Sequence, residues 1–305
     1  MPASFGLSRS ATRRLRAETP GRTVDSAVRK RRSAPVEFDI LGGEKYTSNV
    51  CLYIGTGDDS MIPEIAGVVD RTLKEAPRAT IAVLGDYCMD HYLFVDPSRS
   101  EVSIETGLRT RPVSAHREYP GGAGNVAANI ASLGTGTVNA LGVVGDDMYG
   151  RELRLLLEER GVNTESLLVQ VRDYSTNVYT KVYEEGDEDP RLDLGNFNRM
   201  SEKSERELLS AVEHQLREAD VVVINQQVLS GIYTDSFSEA LVALLDRHDT
   251  KRVMVDSRSY AERFSGTVRK INDEEARRYL SRTGGEAASS ADIEEVAMSL
   301  SAAWK

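Results

Sequence analysis

Two acidic residues and a pair of glycines are the positions in this sequence best suited to chemistry. Gly85-Asp86-x-x-x-Asp90 follows the apolar run Thr80-Ile81-Ala82-Val83-Leu84, which reads as a central strand buried on both faces. Asp86 and Asp90 are therefore expected just past the C-terminal end of that strand. In open α/β sheets ligands bind at that edge. A carboxylate there can accept charge-assisted hydrogen bonds from two hydroxyls of a polyol. The alternative is a helix cap or a solvated acidic loop. Gly121-Gly122-Ala123-Gly124-Asn125 precedes Val126, Ala127, Ile130 and Leu133, which fall on one side of a helix. Glycines lack a Cβ, so a ligand can approach their backbone. The helix start offers free N–H groups, and Asn125 adds a side-chain amide. The arrangement suits a hydroxyl-rich or anionic small molecule. A plain strand–turn–helix glycine pair is the competing reading.

Gly122-x-Gly124-x-x-Ala127 also has the outline of a dinucleotide fingerprint. Such a loop follows directly on a buried strand. Here the lead-in is Ser114-Ala115-His116-Arg117-Glu118-Tyr119-Pro120, which is polar and ends in proline. The next apolar run, 138–144, ends on Gly145 and not on an acid. An NAD-dependent oxidoreductase is therefore disfavoured.

Read together, Gly85-Asp86-Tyr87-Cys88-Met89-Asp90, Gly121-Gly122-Ala123-Gly124-Asn125-Val126-Ala127 and Gly142-Val143-Val144-Gly145-Asp146-Asp147-x-x-Gly150 come in a familiar order and spacing. They resemble the PfkB-family (ribokinase-like) carbohydrate kinases. This version is similar to the kinase domain of bifunctional ADP-heptose synthases. The resemblance implies phosphoryl transfer from ATP, with Mg²⁺, to a hydroxyl of a sugar or sugar phosphate, the subgroup suggesting a phosphorylated heptose. It implies that Asp90, Gly121 and Gly122 bind the sugar with Asn125 assisting, and it leaves Asp86 as a further candidate. Tyr179-Thr180-Lys181 matches the lid strand of the subgroup, where Lys181 would meet a phosphate already on the sugar. A surface pair of Lys181 with Glu184 or Asp187 is the alternative. Asp256 matches the family's strand-end Asp. Asn272-Asp273-Glu274-Glu275 matches its N-x-x-E motif, associated with Mg²⁺ and phosphate handling. Amide and carboxylate oxygens of this kind can organise hydrated Mg²⁺. Ile271 stands where the family has proline, and Gln226, in Asn225-Gln226-Gln227, where it has an acid. Pairing of lids in the family implies a homodimer through the lid.

The family's second signature, a Gly-Ala-Gly-Asp segment carrying the general base and the anion hole, does not occur between Asn272 and Lys305. The expectation is a C-terminally incomplete kinase domain, a fragment with no catalytic residue of its own and no kinase activity. The alternative is a pseudokinase that binds a sugar or a partner without transfer. Gly55-Thr56-Gly57-Asp58 resembles the signature, but its use would need a circular permutation, and Cys51-Leu52-Tyr53-Ile54 lacks the family's lead-in.

The elements that must hold these residues follow from hydrophobic periodicity. It predicts helices over 61–74, 125–133, 149–160, 202–217, 236–246 and 293–304, and strands over 80–85, 138–144, 176–184, 220–224 and 252–256. Alternation of the two predicts an α/β, doubly wound, mostly parallel sheet. Two stretches fall outside the pattern, 92–119 and 168–185, and are expected to form a small β lid. The division expected is a basic disordered tail over 1–35, an N-terminal extension over 36–75 with one or two short strands, and a partial kinase domain over 76–305.

Charge and composition exclude several classes. The 305 residues carry a net charge of −10, although residues 1–35 are basic, with Arg29-Lys30-Arg31-Arg32 at their densest. An acidic body argues against nucleic acid as a partner. No apolar run approaches the ~20 residues a membrane span needs. Two cysteines, Cys51 and Cys88, cannot make a disulfide framework and read as free thiols of a reducing, cytoplasmic compartment. No local His/Cys ligand spacing appears, so no metal site is expected.

Overall fold

The computed structural model describes residues 36–39, 45–48, 61–248, 250–282 and 293–303. The chain divides into two units, 1–60 and 61–305. In the first, β1 (Val36–Asp39) and β2 (Lys45–Ser48) pair antiparallel. The basic stretch, the Gly55-Thr56-Gly57-Asp58 look-alike and Cys51 lie outside the described residues.

The second unit opens with α1 (Met61–Glu75) and then the central strand β3 (Thr80–Gly85). Only Asp86 separates it from β4 (Tyr87–Val95), which leaves for the lid. β5 (Val113–Gly122) returns, and α2 (Ala123–Ser132), β6 (Thr137–Gly145) and α3 (Met148–Glu159) follow. β7 (Val162–Asn163) and β8 (Leu167–Gln170) are short. The chain re-enters the lid with β9 (Asn177–Glu184), β10 (Asp187–Glu188) and β11 (Leu192–Leu194). It closes with α4 (Glu202–Glu218), β12 (Val221–Gln226), α5 (Asp235–Leu245), β13 (Val253–Ser257), β14 (Val268–Lys270), α6 (Asp273–Arg282) and α7 (Ile293–Ala303).

The main sheet runs β14-β13-β12-β3-β6-β7, with β8 also on β6, and every pairing is parallel. It is doubly wound. Ala82 and Leu84 face one apolar core with Leu208, Val212, Phe237 and Leu241 of α4 and α5. Val83, between them, faces the other core with Ala127 of α2 and Leu153 and Leu157 of α3. Strict alternation along β3 thus buries both faces, and truncating Leu84 to alanine would cost about 2–5 kcal/mol. Among the described residues no helix is long and apolar enough to cross a membrane.

The lid is a second sheet of order β10-β9-β4-β5, with β11 also on β9. Its make-up corrects two expectations. Residues 168–170 belong to β8 in the main sheet, because the apolar pair Leu167 and Leu168 can be buried only against β6 and the cores beside it. The lid stretch begins at Asn177 and runs on to Leu194. The polar lead-in 114–120 is itself strand β5, polar because a lid strand does not need two buried faces. Its partner β4 carries Asp90, so that residue stands inside a strand and not in a loop.

Candidate functional site

β3 ends at the C-terminal edge of the sheet, and the chain there divides its two carboxylates. Asp86 is buried. Its Oδ2 accepts the backbone N–H groups of Gln227 and Val228, both at 2.9 Å, and its Oδ1 accepts that of Ile232 at 3.1 Å. Burial raises its pKa to about 6, against the pull of those three donors. Asp86, a further candidate for the sugar site, is not among the residues that line the cleft described next. Its oxygens are engaged in holding residues 227–232, and Gly231 lies so close that a Cβ there would sit 2.0 Å from Oδ1.

Asp90 has the opposite surroundings. It lies opposite Tyr119 of β5 and beside Tyr179 of β9. It lines a cleft of about 630 Å³ together with Cys88, Gly122, Tyr179, Arg191 and Arg258. The loop that Asp86 holds supplies a further wall through Gln227, Val228, Leu229 and Ser230. Burial raises the Asp90 pKa, with Lys181 and then Arg191 pulling it back. No described residue donates a hydrogen bond to its carboxylate. The strand geometry explains the glycine pair. A Cβ on Gly121 would stand 2.9 Å from Asp90 Oδ2, so only glycine leaves the carboxylate its place. Gly122 has φ +54°, which an L side chain rarely adopts, and caps α2.

The other residues expected on the sugar side are spread around this centre. Lys181 shares the lid face of Asp90, two residues beyond Tyr179. Its ammonium lies over the Tyr92 ring at 5.3 Å to the centroid, with no ion pair to Glu184 or Asp187 among the described contacts. Asn125 is exposed on α2 and accepts from Asn129 Nδ2 at 3.2 Å, outside the cleft lining. Cys88 is a buried free thiol whose pKa burial pushes well up, Asp86 and Asp90 adding to the rise.

The third motif is a clamp. Asp147 caps α3 through Gly150 N–H at 2.8 Å and, with its other oxygen, accepts Thr176 N–H at 2.8 Å. Thr176 Oγ1 accepts the N–H of Gly145 at 3.0 Å. The start of lid strand β9 is thereby fixed to the end of β6.

On the other side of the sheet edge, Asp256, the penultimate residue of β13, pairs with Lys270 at 3.2 Å. Asn272 and Glu275 answer each other. Asn272 Oδ1 accepts Glu275 N–H at 2.7 Å, and Glu275 Oε2 accepts Asn272 N–H at 3.0 Å. This is a capping box that starts α6, so the N-x-x-E pattern has a local structural role. Asn225, in register between Gly85 and Asp256, has a buried Oδ1 without a hydrogen-bond partner. Gln226, where the family has an acid, has both its polar side-chain atoms engaged. Its Nε2 donates to Val228 O, and its Oε1 accepts from Ser257 Oγ and Ser259 N–H. A separate cavity of about 440 Å³ beside α6 and α7 shares no lining residue with the Asp90 cleft.

Sequence reasoning missed Arg191, Asp193 and Arg258 at the cleft. Arg191 stacks on the Tyr179 ring at 4.3 Å to the centroid and grips Asp193 with two hydrogen bonds, at 2.5 and 2.8 Å. Its sequence signal is the two-residue spacing of Arg191 and Asp193 at the start of a short strand, too brief to be distinctive.

Residues 78–303 match the family described as pfkB family carbohydrate kinase. Among curated proteins the chain is 32% identical to "Bifunctional protein HldE" of Caulobacter sp. (strain K31) over 71% of this chain and 44% of that protein. It is 30% identical to the protein of that name from Coxiella burnetii (strain Dugway 5J108-111), over 67% of this chain and 40% of that protein. The chain thus spans about two fifths of the length of these relatives. Of solved structures, phosphofructokinase-2 from Escherichia coli in complex with fructose-6-phosphate aligns with a TM-score of 0.53 at 20% identity, covering 74% of this chain and 71% of that one. Ribokinase from Thermotoga maritima aligns with a TM-score of 0.51 at 17% identity, covering 72% and 67%. The fold is ribokinase-like.

Proposed function

This chain belongs to the pfkB family of carbohydrate kinases, and we propose that its Asp90 cleft holds the sugar acceptor of an ATP-dependent phosphoryl transfer. One observation carries the reading: Asp90 is a partly buried carboxylate in a cleft, with no donor of its own. Burying a charge without hydrogen bonds is costly. Two sugar hydroxyls would supply them, and such charge-assisted bonds are worth about 1.5–3 kcal/mol each. Gly121 leaves the carboxylate its space, and Gly122 lines the cleft beside it. Arg191 and Arg258 on the cleft wall, and the charge of Lys181 nearby, favour an acceptor that already carries a phosphate, in keeping with the heptose phosphate suggested by the sequence resemblance.

ATP and Mg²⁺ belong to this reading through the family. The test of fit is Asn225. Its buried, partnerless Oδ1 stands in register with Asp256, and paired oxygens of this kind suit a hard cation. Asn225 and Asp256 would hold the hydrated ion, which would neutralise charge on the transferring phosphoryl group. Lys270 would then give up Asp256. Positioning by the lid and Asp90 supplies the orientation on which such transfers depend. The resemblance also supports a homodimer through the lid and a cytoplasmic setting.

A second reading, sugar binding without transfer, is favoured by the mutual engagement of Asn272 and Glu275. Both readings predict Asp90-dependent binding, and turnover separates them. Calorimetry with sugar phosphates, and ADP release by the purified 305-residue chain, would test them together. Both readings expect a sugar phosphate to bind, with affinity weakened at least tenfold in Asp90→Ala; the first expects sugar-dependent ADP release and the second none. Sugar-dependent ADP release would place the whole transfer on this chain. Unchanged affinity in Asp90→Ala would remove Asp90 from the sugar site.

A further inference from the structure

The lid sheet has a second face, and it carries a cluster that the sugar reading does not use. Residues alternate along β4, so Asp90 points into the cleft and His91 points away from it. His91 lies directly opposite Glu118 on β5, and His116 is two residues before Glu118 on the same strand and hence on the same face. One ligand atom from each of His91, His116 and Glu118 lies within 4.8 Å of the other two. His91 Nε2 is 3.7 Å from Glu118 Oε1, and His116 Nδ1 is 4.0 Å from that same oxygen. The two imidazoles meet edge to face at 6.1 Å between centroids.

We propose that His91, His116 and Glu118 form a binding site for a late first-row dication of tetrahedral preference, with Zn²⁺ the expected occupant. Zn²⁺ takes imidazole nitrogen and carboxylate oxygen at about 2.0–2.2 Å, which sets its ligands roughly 3.3 Å apart. Small side-chain rotations close the difference from the separations seen. The cluster also has the outer support a metal site needs. His91 Nδ1 lies 3.4 Å from Oγ1 of Thr180, a buried hydroxyl on β9. A proton on Nδ1 would be held there, which leaves the Nε2 lone pair facing Glu118 and the ion. His116 is the exposed member, its side chain 66% accessible, and gives the ion a way in from solvent. Three protein ligands leave a fourth position for water. The site is independent of the sugar cleft, being on the opposite face, yet an ion there would tie β4 to β5 directly behind Asp90. It would stiffen the strand pair on which the Asp90–Gly121 contact depends.

The test uses the full chain stripped with a chelator and titrated with Zn²⁺ in a calorimeter, with Co²⁺ as a spectroscopic stand-in. One Zn²⁺ per chain is expected, along with a rise in melting temperature and visible Co²⁺ bands of tetrahedral intensity. His116→Ala and Glu118→Gln should each weaken Zn²⁺ binding at least tenfold, and Thr180→Val about 10–100-fold. His116→Ala is the decisive variant, because an exposed side chain can be removed without endangering the fold. The sequence has four histidines, so the His214→Ala/His248→Ala double variant should bind Zn²⁺ as the parent does. Absence of Zn²⁺ binding at micromolar concentrations, unchanged affinity in His116→Ala, or loss of binding in the His214/His248 variant would each overturn the proposal. The cluster would then be a plain cross-strand histidine–carboxylate contact.

Discussion

At the lid corner, Asp90 faces a cleft with no donor to its carboxylate, whereas at the C-terminal corner Asp256, Asn272 and Glu275 each have an answering group. Both corners carry residues of the types a phosphotransferase needs, Asp90 on the lid strand that continues from β3 and the others beyond β13 of the parallel sheet. They differ in where the partners come from. Asn272 and Glu275 find theirs within a few positions, in a capping box, and Asp256 finds its own 14 residues on, in a lysine at the end of the next strand. Asp90 has no such local partner, because its neighbours in β4 point to alternate faces and its cross-strand neighbour two positions away from Tyr119 is a glycine. An unanswered polar group under partial burial marks a ligand site more sharply than residue type does.

The largest expected effect that would sharpen this contrast is at Asp86, the carboxylate that builds the cleft wall without entering it. Asp86→Ala leaves three N–H groups without their acceptor, two of them buried, and should cost about 3–5 kcal/mol in chemical denaturation. Its pH dependence has an unusual sign. The folded pKa of about 6 lies above the ordinary 3.8, so between those values the folded state holds a proton that the unfolded state has lost. This contribution to stability is fully present below pH 3.8 and is lost as pH rises through about 6. Stability should therefore fall on the order of 3 kcal/mol over that window on account of this group, and the slope should vanish in Asp86→Asn. A wild-type curve that rises through the window would show that the three donors outweigh burial.

Next comes Gly121→Ala, whose Cβ would displace the Asp90 carboxylate. Sugar-phosphate affinity should drop roughly tenfold, about 1.4 kcal/mol, with little change in melting temperature, since a carboxylate end can swing aside. Equal losses of stability and affinity would mean that the contact is structural. At the other corner, Glu275→Ala removes half a capping box and should cost about 0.5–2 kcal/mol while leaving sugar affinity unchanged. A loss of sugar affinity there would dissolve the distinction between the corners. Lys270→Ala breaks a largely exposed ion pair and should cost under about 1 kcal/mol, readable in the same denaturation series.

Much of this was legible in the sequence. The β3 run and the helical stripes of α2, α4 and α5 announce themselves because burial demands apolar residues at fixed periods. The glycine pair at 121–122 was legible because a positive φ and a contact too close for a Cβ admit little else. The fate of individual carboxylates was not legible. Asp86 and Asp90 are four residues apart and chemically identical, yet one is satisfied by a loop more than 140 positions away and the other is left open. Arg191 and Arg258 reach the cleft from segments with no distinctive pattern. His91 was unremarkable until antiparallel pairing set it opposite Glu118, since ligand spacing along one strand shows only His116-x-Glu118.

By itself, then, the sequence determined the parallel sheet, its helices, and which stretches gather polar chemistry, because periodicity and backbone freedom are properties of neighbouring residues. Only the tertiary structure decided which polar groups keep unfilled valences, because hydrogen-bond partners at this sheet edge arrive from strands far apart in the chain.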